Sequence, residues 1–255
     1  MKMLLTNDDG PFAPGLCALR DVLLELGDVT TVVPAEERSG IGHAITYLVP
    51  VRTGTANLPD GSTVVTLTGT PADCVKFGLL EVLDSPPEMI VAGCNMGINV
   101  GIDVFYSGTV AAALEGAFSG VFSVALSTTR HNGGRMAAVA TQARRVLGML
   151  LDNGPLAPHA FNVNIPLLSG GDPEIRFTRQ SQVFPRGSFL RQDGPRGRVH
   201  YWLDSTADAA APEPDSDVAA VEAGCISITP LRPNLTDDAF LKRLAGHVSA
   251  LRGEG

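Results

Sequence analysis

Two adjacent carboxylates near the start of the chain are the residues best suited to chemistry. Asp8 and Asp9 lie in the run Thr6-Asn7-Asp8-Asp9-Gly10-Pro11, directly after a short apolar segment that predicts a buried strand. Neighbouring carboxylates repel each other, and a hard divalent cation that prefers oxygen ligands would offset that repulsion. Asn, Asp, Gly and Pro are also the commonest turn residues. Alone, this run fits a metal site and a solvated turn equally well.

A glycine- and asparagine-rich segment, residues 93–101, is the second candidate. Asn95 and Asn99 lie between its glycines, and both residue types are poor helix formers, which favours a loop whose amides face one ligand. The run Ser107-Gly108-Thr109 then leads into an alanine-rich helix. Hydroxyls and free N–H groups at a helix N-terminus form a natural phosphate seat. This segment therefore predicts phosphate binding better than it predicts an ordinary helix cap.

The segment from Glu36 to His43, after the second predicted strand, holds two further candidates. Ser39 could ligate a metal through its hydroxyl, and His43 could contact a phosphate or act in proton transfer. Taken alone, a turn serine and a solvent-facing histidine are the simpler interpretation of both.

Several common nucleotide and ester motifs are missing from the sequence. None of the three lysines follows a G-x-x-x-x-G-K-[ST] loop, which excludes a P-loop. Gly40 and Gly42 are not completed by a small residue at position 45, so the dinucleotide fingerprint is absent. No G-x-S-x-G elbow occurs either, which argues against the usual α/β-hydrolase.

Composition narrows the partners and the location. The chain of 255 residues carries a net charge of −8 with only 19 Lys and Arg, which is too few for a basic stripe that binds a nucleic-acid duplex. Its apolar runs fall short of the roughly 18 residues of a membrane span, and the first one ends at Asn7, too early for a signal peptide. We therefore expect a soluble cytoplasmic protein that binds neither a membrane nor a duplex. The scattered cysteines are expected to be small buried hydrophobes: Cys17, Cys74, Cys94 and Cys225.

Alternating strand and helix patterns supply the elements that position these residues. Strand, helix and strand with short links form βαβ units, hence an α/β fold with a mostly parallel sheet and helices on both faces. Ligands of such sheets bind at the carboxyl ends of the strands, which is where the polar motifs lie. The predicted strands are Met3–Thr6, Val29–Val33, Leu48–Arg52, Val64–Leu67, Met89–Ala92 and Val121–Ser127. The predicted helices are Gly15–Leu26, Pro71–Leu83 with Thr70 as its cap, Thr109–Phe118 and Met136–Leu151.

The pattern changes near Asn153. We interpret residues 1–153 as the catalytic core and residues 154–255 as a β-rich C-terminal extension packed on it. The extension is predicted to hold a flexible loop at about 204–217 and a closing helix over about 237–251, capped by Thr236. Its predicted strands are Ala160–Ile165, Ile175–Thr178, Val199–Leu203 and Cys225–Thr229.

These segments, in this order, resemble the SurE family of 5′/3′-nucleotidases. The resemblance covers essentially the whole chain. Two positions depart from the family pattern, Ala111 in place of a glycine and Cys94 in place of an apolar residue, and neither is a ligand. The matching runs are Leu5 to Gly10, Arg38-Ser39-Gly40, Gly69 to Val75, Asn95 to Asp103, Tyr106 to Val110, Ala219 with Val221 and Gly224, and Ser227 to Leu231.

The resemblance implies one SurE-like domain with a three-layer, Rossmann-like core, and one Mg²⁺ or Mn²⁺ ion per subunit. The implied metal ligands are Asp8, Asp9, Ser39 and Asn95, and the implied phosphate-binding residues are Asn99, Ser107, Gly108 and Thr109. Proteins of this family hydrolyse nucleoside monophosphates. They assemble as dimers or larger oligomers by exchanging parts of the C-terminal extension, so a homodimer or homotetramer is implied.

The resulting hypothesis is hydrolysis of nucleoside 5′- and 3′-monophosphates and other small phosphomonoesters by a metal-activated water. Asp9 could orient that water, and His43 is a candidate acid or substrate contact. Two alternatives stay open. An aspartyl-phosphate phosphatase would use Asp8 as its nucleophile, although such enzymes usually space their two aspartates by one residue. A nucleotide-binding sensor without turnover is the other, and the intact ligand set argues against it.

Overall fold

The protein is an α/β fold with helices packed on a large sheet. The structure is a computed structural model that describes residues 1–130, 135–152, 159–166, 171–183, 187–204 and 210–252. Its strands are β1 (Lys2–Thr6), β2 (Asp28–Pro34), β3 (Thr53–Asn57), β4 (Thr63–Leu67), β5 (Met89–Met96), β6 (Phe122–Thr128), β7 (Ala160–Ile165), β8 (Ile175–Phe177), β9 (Ser188–Asp193), β10 (Val199–Asp204) and β11 (Ile226–Leu231). Its α-helices are α1 (Pro14–Leu24), α2 (Pro71–Phe77), α3 (Gly108–Phe118), α4 (Met136–Asp152), α5 (Asp217–Glu222) and α6 (Asp238–Arg252).

The central sheet has nine strands in the order β3-β4-β2-β1-β5-β6-β7-β11-β8. Most neighbouring strands are parallel, and the β3–β4 and β7–β11 pairs are antiparallel. The predicted mostly parallel α/β fold is confirmed. Because β1 and β5 are parallel neighbours with Thr6 opposite Ala92, the residues after both strands meet at one edge of the sheet.

Alternating side chains of the central strands face two different helix layers. In β1, Met3 and Leu5 pack with α1 and α4, while Leu4 packs with α2 and α3 on the opposite face. All three side chains are almost completely buried. Burial of a side chain of this size contributes roughly 1.5–3 kcal/mol, so both layers anchor the strand that leads into Asp8.

Two boundaries near the site differ from the sequence-based expectation. The predicted strand Leu48–Arg52 is wrong: the strand is β3, because Pro50 cannot donate to a ladder and Leu48 is 84% exposed. The predicted loop over 93–101 begins too early, since β5 continues to Met96 through a register shift between Ala92 and Asn95. Gly93 adopts a φ of +132° at this shift, a conformation that favours glycine.

The predicted helix over 71–83 is an α-helix only to Phe77 and continues as a π-helical turn, Gly78–Val82. Thr70 caps it as predicted, and its capping box with Asp73 is complete. At the chain's other end, Thr236 does not cap the closing helix. The Asp237 carboxylate accepts the N–H of Phe240 there instead, at 2.9 Å.

The C-terminal third contributes to the central sheet and also forms a separate ribbon. Strands β7, β11 and β8 extend the sheet, whereas β9 and β10 pair with each other as a second, two-stranded sheet. The loop predicted at about 204–217 is flanked by Asp204, the last residue of β10, and by Asp217, the first residue of α5, and its flexibility stays a prediction. Residues 205–209 of that loop lie outside the described residues. The domain boundary at residue 153 and the role of the extension in oligomerisation stay predictions.

The expectation of buried, unpaired cysteines is met at three of the four positions within the described ranges. All four cysteines are unpaired, three of them are buried and Cys17 is half-buried. No described helix combines the length and apolarity that crossing a membrane requires.

Candidate metal and phosphate site

The turn after β1 places Asp8 and Asp9 at the carboxyl edge of the sheet. The Asn7 side chain closes this turn with two hydrogen bonds to Gly10: its Nδ2 donates to the carbonyl at 2.8 Å and its Oδ1 accepts the N–H at 3.2 Å. Asn7 is 1% exposed, and Gly10 adopts a φ of +87°. Asn7 is therefore the residue that shapes the turn, a role that the sequence analysis did not assign to it.

Asp8 is buried against the N-terminus of α3. Its Oδ1 accepts the Thr109 hydroxyl at 2.6 Å, and its main-chain carbonyl accepts the N–H of Arg38 at 2.7 Å. Burial raises the pKa of Asp8, and the hydrogen bonds from the Thr109 side chain and backbone oppose that rise. The negative charge of Glu37 raises this pKa slightly further. The Asp8 side chain thus has a fixed orientation, and its burial makes ionisation unfavourable.

The ionised form of Asp9 is also disfavoured. Burial, followed by the charges of Asp8 and Glu37, raises the pKa of Asp9 to about 6. The backbone N–H of Met96 and the charge of Arg130 act in the opposite direction. The charges of Asp8 and Glu37 thus disfavour ionisation of Asp9, and a divalent cation with oxygen ligands would relieve this repulsion. The donor set fits a hard cation.

Asn95 and Ser39 approach this edge from two other segments. The Nδ2 of Asn95 donates to the carbonyl of Gly97 at 2.7 Å, so its Oδ1 is the atom suited to a cation. The Ser39 hydroxyl donates to the Glu37 carboxylate at 2.7 Å on the exposed side of the loop. No three His, Cys, Asp or Glu residues of the described chain gather into a metal-binding group. The predicted set, with one Ser and one Asn among its four members, would not form such a group.

A close helix contact fixes the backbone beside Asn95. A Cβ on Gly15, in α1, would lie 2.0 Å from the carbonyl oxygen of Cys94. Only glycine allows α1 to approach the end of β5 this closely.

The N-terminus of α3 lies directly over Asp8. A Cβ on Gly108 would lie 3.1 Å from the Asp8 Cβ and 3.3 Å from its Oδ2, so glycine permits the approach. Ser107 caps the helix, because its Oγ accepts the N–H of Val110 at 3.1 Å. The hydroxyl proton of Ser107 is still able to donate to an anion, whereas the Thr109 hydroxyl is committed to Asp8. Gly108 and Ser107 are the better placed of the predicted phosphate-binding residues.

Asn99 is fixed by hydrogen bonds to side chains of strands β6 and β7. Its backbone is bracketed by Asn164, whose Oδ1 accepts the N–H at 2.7 Å and whose Nδ2 donates to the carbonyl at 3.1 Å. Asn162 also donates to that carbonyl at 2.7 Å, and the Asn99 side chain donates to Ser127 at 2.8 Å. These contacts fix the loop on which Asn99 lies. Its contact with phosphate stays a prediction.

His43 lies on the outer side of α3. Its Nε2 is 2.9 Å from Glu115 Oε2, and its ring stacks on Phe118 with centroids 5.2 Å apart. Lys76 contacts the other oxygen of Glu115 at 2.7 Å, and the hydrogen bond from His43 is the main reason that the pKa of Glu115 is lowered. The Nε2 atom is thus engaged by a buried carboxylate, and the predicted role of His43 as an acid stays untested.

Two residues of the C-terminal third that support the site, Asn162 and Asn164, were not among those predicted from the sequence. Asn162 and Asn164 alternate within the otherwise apolar strand β7, and both are completely buried. Polar residues at a period of two in a buried strand are the signal that could have indicated them, because buried amides need hydrogen-bond partners.

Replacing Thr109 by Val should weaken metal binding. The valine keeps the side-chain shape but removes the hydroxyl that donates to Asp8 at 2.6 Å. Mutation of a group that orients a metal ligand typically lowers the affinity for the metal by about 10- to 100-fold. We expect the Mn²⁺ concentration for half-maximal activity to rise by about that factor, as measured by metal titration. Thr109→Ser keeps the hydroxyl and serves as the matched control. Equal Mn²⁺ dependence of the two variants would exclude this role for Thr109.

Comparison with known proteins finds similar sequences and a similar fold. The model of the family described as survival protein SurE matches residues 3–186. A 5′-nucleotidase SurE of Moorella thermoacetica is 41% identical over 254 residues, which cover 98% of this chain and 97% of that protein. A 5′-nucleotidase SurE of Rhodopirellula baltica is 41% identical over 251 residues, with coverage of 96% and 97%. The crystal structure of a SurE protein from Aquifex aeolicus superimposes with a TM-score of 0.82 at 32% identity, covering 99% of this chain and 100% of that one.

Proposed function

The chain belongs to the SurE family, and we propose that it is a metal-dependent phosphomonoesterase that hydrolyses nucleoside 5′- and 3′-monophosphates. The observation that carries the proposal is the pair of neighbouring carboxylates at the carboxyl edge of the sheet: Asp8 is buried beneath the N-terminus of α3, and Asp9 is half-buried beside it. One end of the site is suited to a cation and the other to a phosphate. The two relatives described as 5′-nucleotidases support the same substrate class.

One divalent ion per subunit, Mg²⁺ or Mn²⁺, would be held by Asp8, Asp9, Ser39 and Asn95. When bound, it would polarise the phosphate and make water a stronger nucleophile. Asp8 is oriented for ligation by Thr109, and Asn95 by its hydrogen bond to Gly97.

The protein's own groups orient the phosphate and the water. The free N–H groups and dipole at the start of α3, together with the Ser107 hydroxyl, favour the charge on the phosphate oxygens. Asn99 completes this set in the proposal. With a pKa of about 6, Asp9 is ionised at neutral pH and can accept a hydrogen bond from the attacking water. His43 is kept as a substrate contact rather than the acid, because Glu115 engages its Nε2.

A covalent mechanism through Asp8 is the less favourable alternative. Asp8 is 4% exposed and its Oδ1 already accepts the Thr109 hydroxyl, so attack by that oxygen would require the hydrogen bond to break. Acid quenching of the enzyme with a ³²P-labelled nucleotide separates the mechanisms. We expect no labelled protein; a labelled protein that Asp8→Asn abolishes would favour the covalent mechanism.

Phosphate release tests the proposed function. The purified protein is treated with a chelator and assayed against 5′- and 3′-nucleoside monophosphates and p-nitrophenyl phosphate, with and without added Mn²⁺ or Mg²⁺. We expect release only with metal. Absence of release from every substrate with either metal would leave a nucleotide-binding sensor as the better interpretation. The cytoplasmic location and the homodimeric or homotetrameric state remain proposals that rest on the family.

A further inference from the structure

An apolar pocket adjoins the site on the outer face of α3. Its cavity has a volume of about 170 Å³, and its walls are mostly aliphatic and aromatic side chains. An apolar cavity of about 150 Å³ holds a ligand the size of benzene, so this pocket has room for one planar ring. The wall residues used below are His43, Phe105, Ala111, Phe118, Gln180 and Arg232.

The pocket is lined by residues of three segments that also carry the proposed metal and phosphate site. His43 follows Ser39 on the same loop, Phe105 precedes Ser107, and Ala111 lies one turn after Gly108 on α3. Gly108 and Ala111 are separated by about 4.5 Å along the helix axis. A ribose can bridge that gap, so a phosphate at the start of α3 would place the attached group at the mouth of the pocket.

The walls of the pocket suit a flat aromatic ligand. His43 and Phe118 form a stacked pair with an interplanar angle of 5°, and the bond from His43 to Glu115 fixes the histidine ring. Phe118 is 53% exposed and Phe105 is 50% exposed, so part of each ring surface is accessible to a ligand. Stacked aromatic rings attract each other beyond the area that they bury.

Two polar side chains also line the pocket. Gln180 donates its Nε2 to the carbonyl of Gly101 at 2.7 Å, which fixes the amide and leaves its Oε1 as an acceptor. Arg232 is exposed and supplies donors. An acceptor and several donors around an aromatic slot match the edge of a heterocyclic base better than they match an aliphatic chain.

We propose that this pocket binds the base of the nucleotide whose phosphate lies at the N-terminus of α3. The proposal rests on the proposed function and assigns specificity to Phe118, Phe105 and His43. Stacking on aromatic side chains tolerates different bases. The pocket therefore selects nucleotides over base-free phosphomonoesters.

A pair of substrates that differ only in the base tests the assignment. Kinetic constants are measured for a pyrimidine nucleoside 5′-monophosphate, whose base is a single ring, and for ribose 5-phosphate, with wild-type protein and Phe118→Ala. Loss of one stacking surface should raise KM for the nucleotide about 10-fold. The KM for ribose 5-phosphate should stay within about 2-fold of the wild-type value, because its phosphate and sugar contacts are unchanged.

Two further variants separate stacking from general damage. Phe118→Tyr keeps the ring and should restore the nucleotide KM, and Phe177→Ala removes a 66% exposed ring on β8 outside the pocket and should alter neither substrate. A Phe118→Ala effect that is equal for both substrates, or absent for both, overturns the base pocket alone. If wild-type protein hydrolyses neither substrate, the proposed function itself fails, and the base pocket with it.

Discussion

Asp8→Asn is expected to reduce kcat for nucleoside monophosphates by at least about 10³-fold, because a Lewis-acid cation contributes several kcal/mol to such a reaction. The substitution keeps the shape of the side chain and an oxygen that can accept the Thr109 hydroxyl. What it removes is the negative charge that binds the cation. Steady-state phosphate release over a range of Mn²⁺ concentrations measures the loss.

The stability of the metal-free variant distinguishes a lost ligand from a damaged fold. Since burial raises the pKa of Asp8, the ionised carboxylate destabilises the native state at pH values above that pKa, and the cost disappears at lower pH. Asp8→Asn removes this charge, so the thermal midpoint of the metal-free protein at neutral pH should be equal to or higher than that of the wild type. Asp28→Asn, at an exposed position at the start of β2, is the matched control and should be fully active. A fully active Asp8→Asn protein would remove Asp8 from the mechanism.

The geometry around Asp8 was predictable where it depends on short-range patterns. Parallel strands bring their carboxyl ends to one edge, and this alone predicted that the residues after β1 and β5 lie close together. The start of α3 followed from Ser107 and Gly108, since a cap and a helix pattern are local signals. The family resemblance rests on these same motifs, and it is confirmed.

The contacts that support the site were not predictable by such patterns. Asn164 is 65 residues from Asn99, and no local preference pairs them. The ribbon strand β9 is exposed along its whole length, so its sequence lacks the apolar alternation that marks a half-buried strand. Helix α5 has only six residues, too short for a helical period to emerge from an Ala-, Pro- and Asp-rich segment.

Asp217, at the start of α5, is the most consequential of these long-range contacts. It is completely buried, and its carboxylate accepts three backbone N–H groups, those of Gly101, Ser181 and Val218, each at 2.9 Å. Gly101 begins the 3₁₀ turn that leads into Ser107 and α3. One side chain from the C-terminal third therefore ties the phosphate-side loop to the segment around Ser181.

Asp217→Ala is expected to lower the free energy of unfolding by about 3–5 kcal/mol, because it leaves buried donors without an acceptor. Urea denaturation measures this loss. The loop that it frees carries Asn99 and Ser107, so KM for the nucleotide should rise even in protein that remains folded. Burial raises the pKa of Asp217, and the hydrogen bonds from the three backbone N–H groups act in the opposite direction.

Asp217→Asn should be the milder of the two changes at this position, since it removes the buried charge and keeps one oxygen acceptor. Asp193→Ala, on exposed strand β9, removes an aspartate that pairs with Arg191 at 2.7 Å. Exposed ion pairs contribute about 0–1 kcal/mol, so this control should be close to the wild type in both measurements. If Asp217→Ala matched Asp193→Ala in stability and KM, the phosphate-side loop would not depend on the C-terminal third for its position.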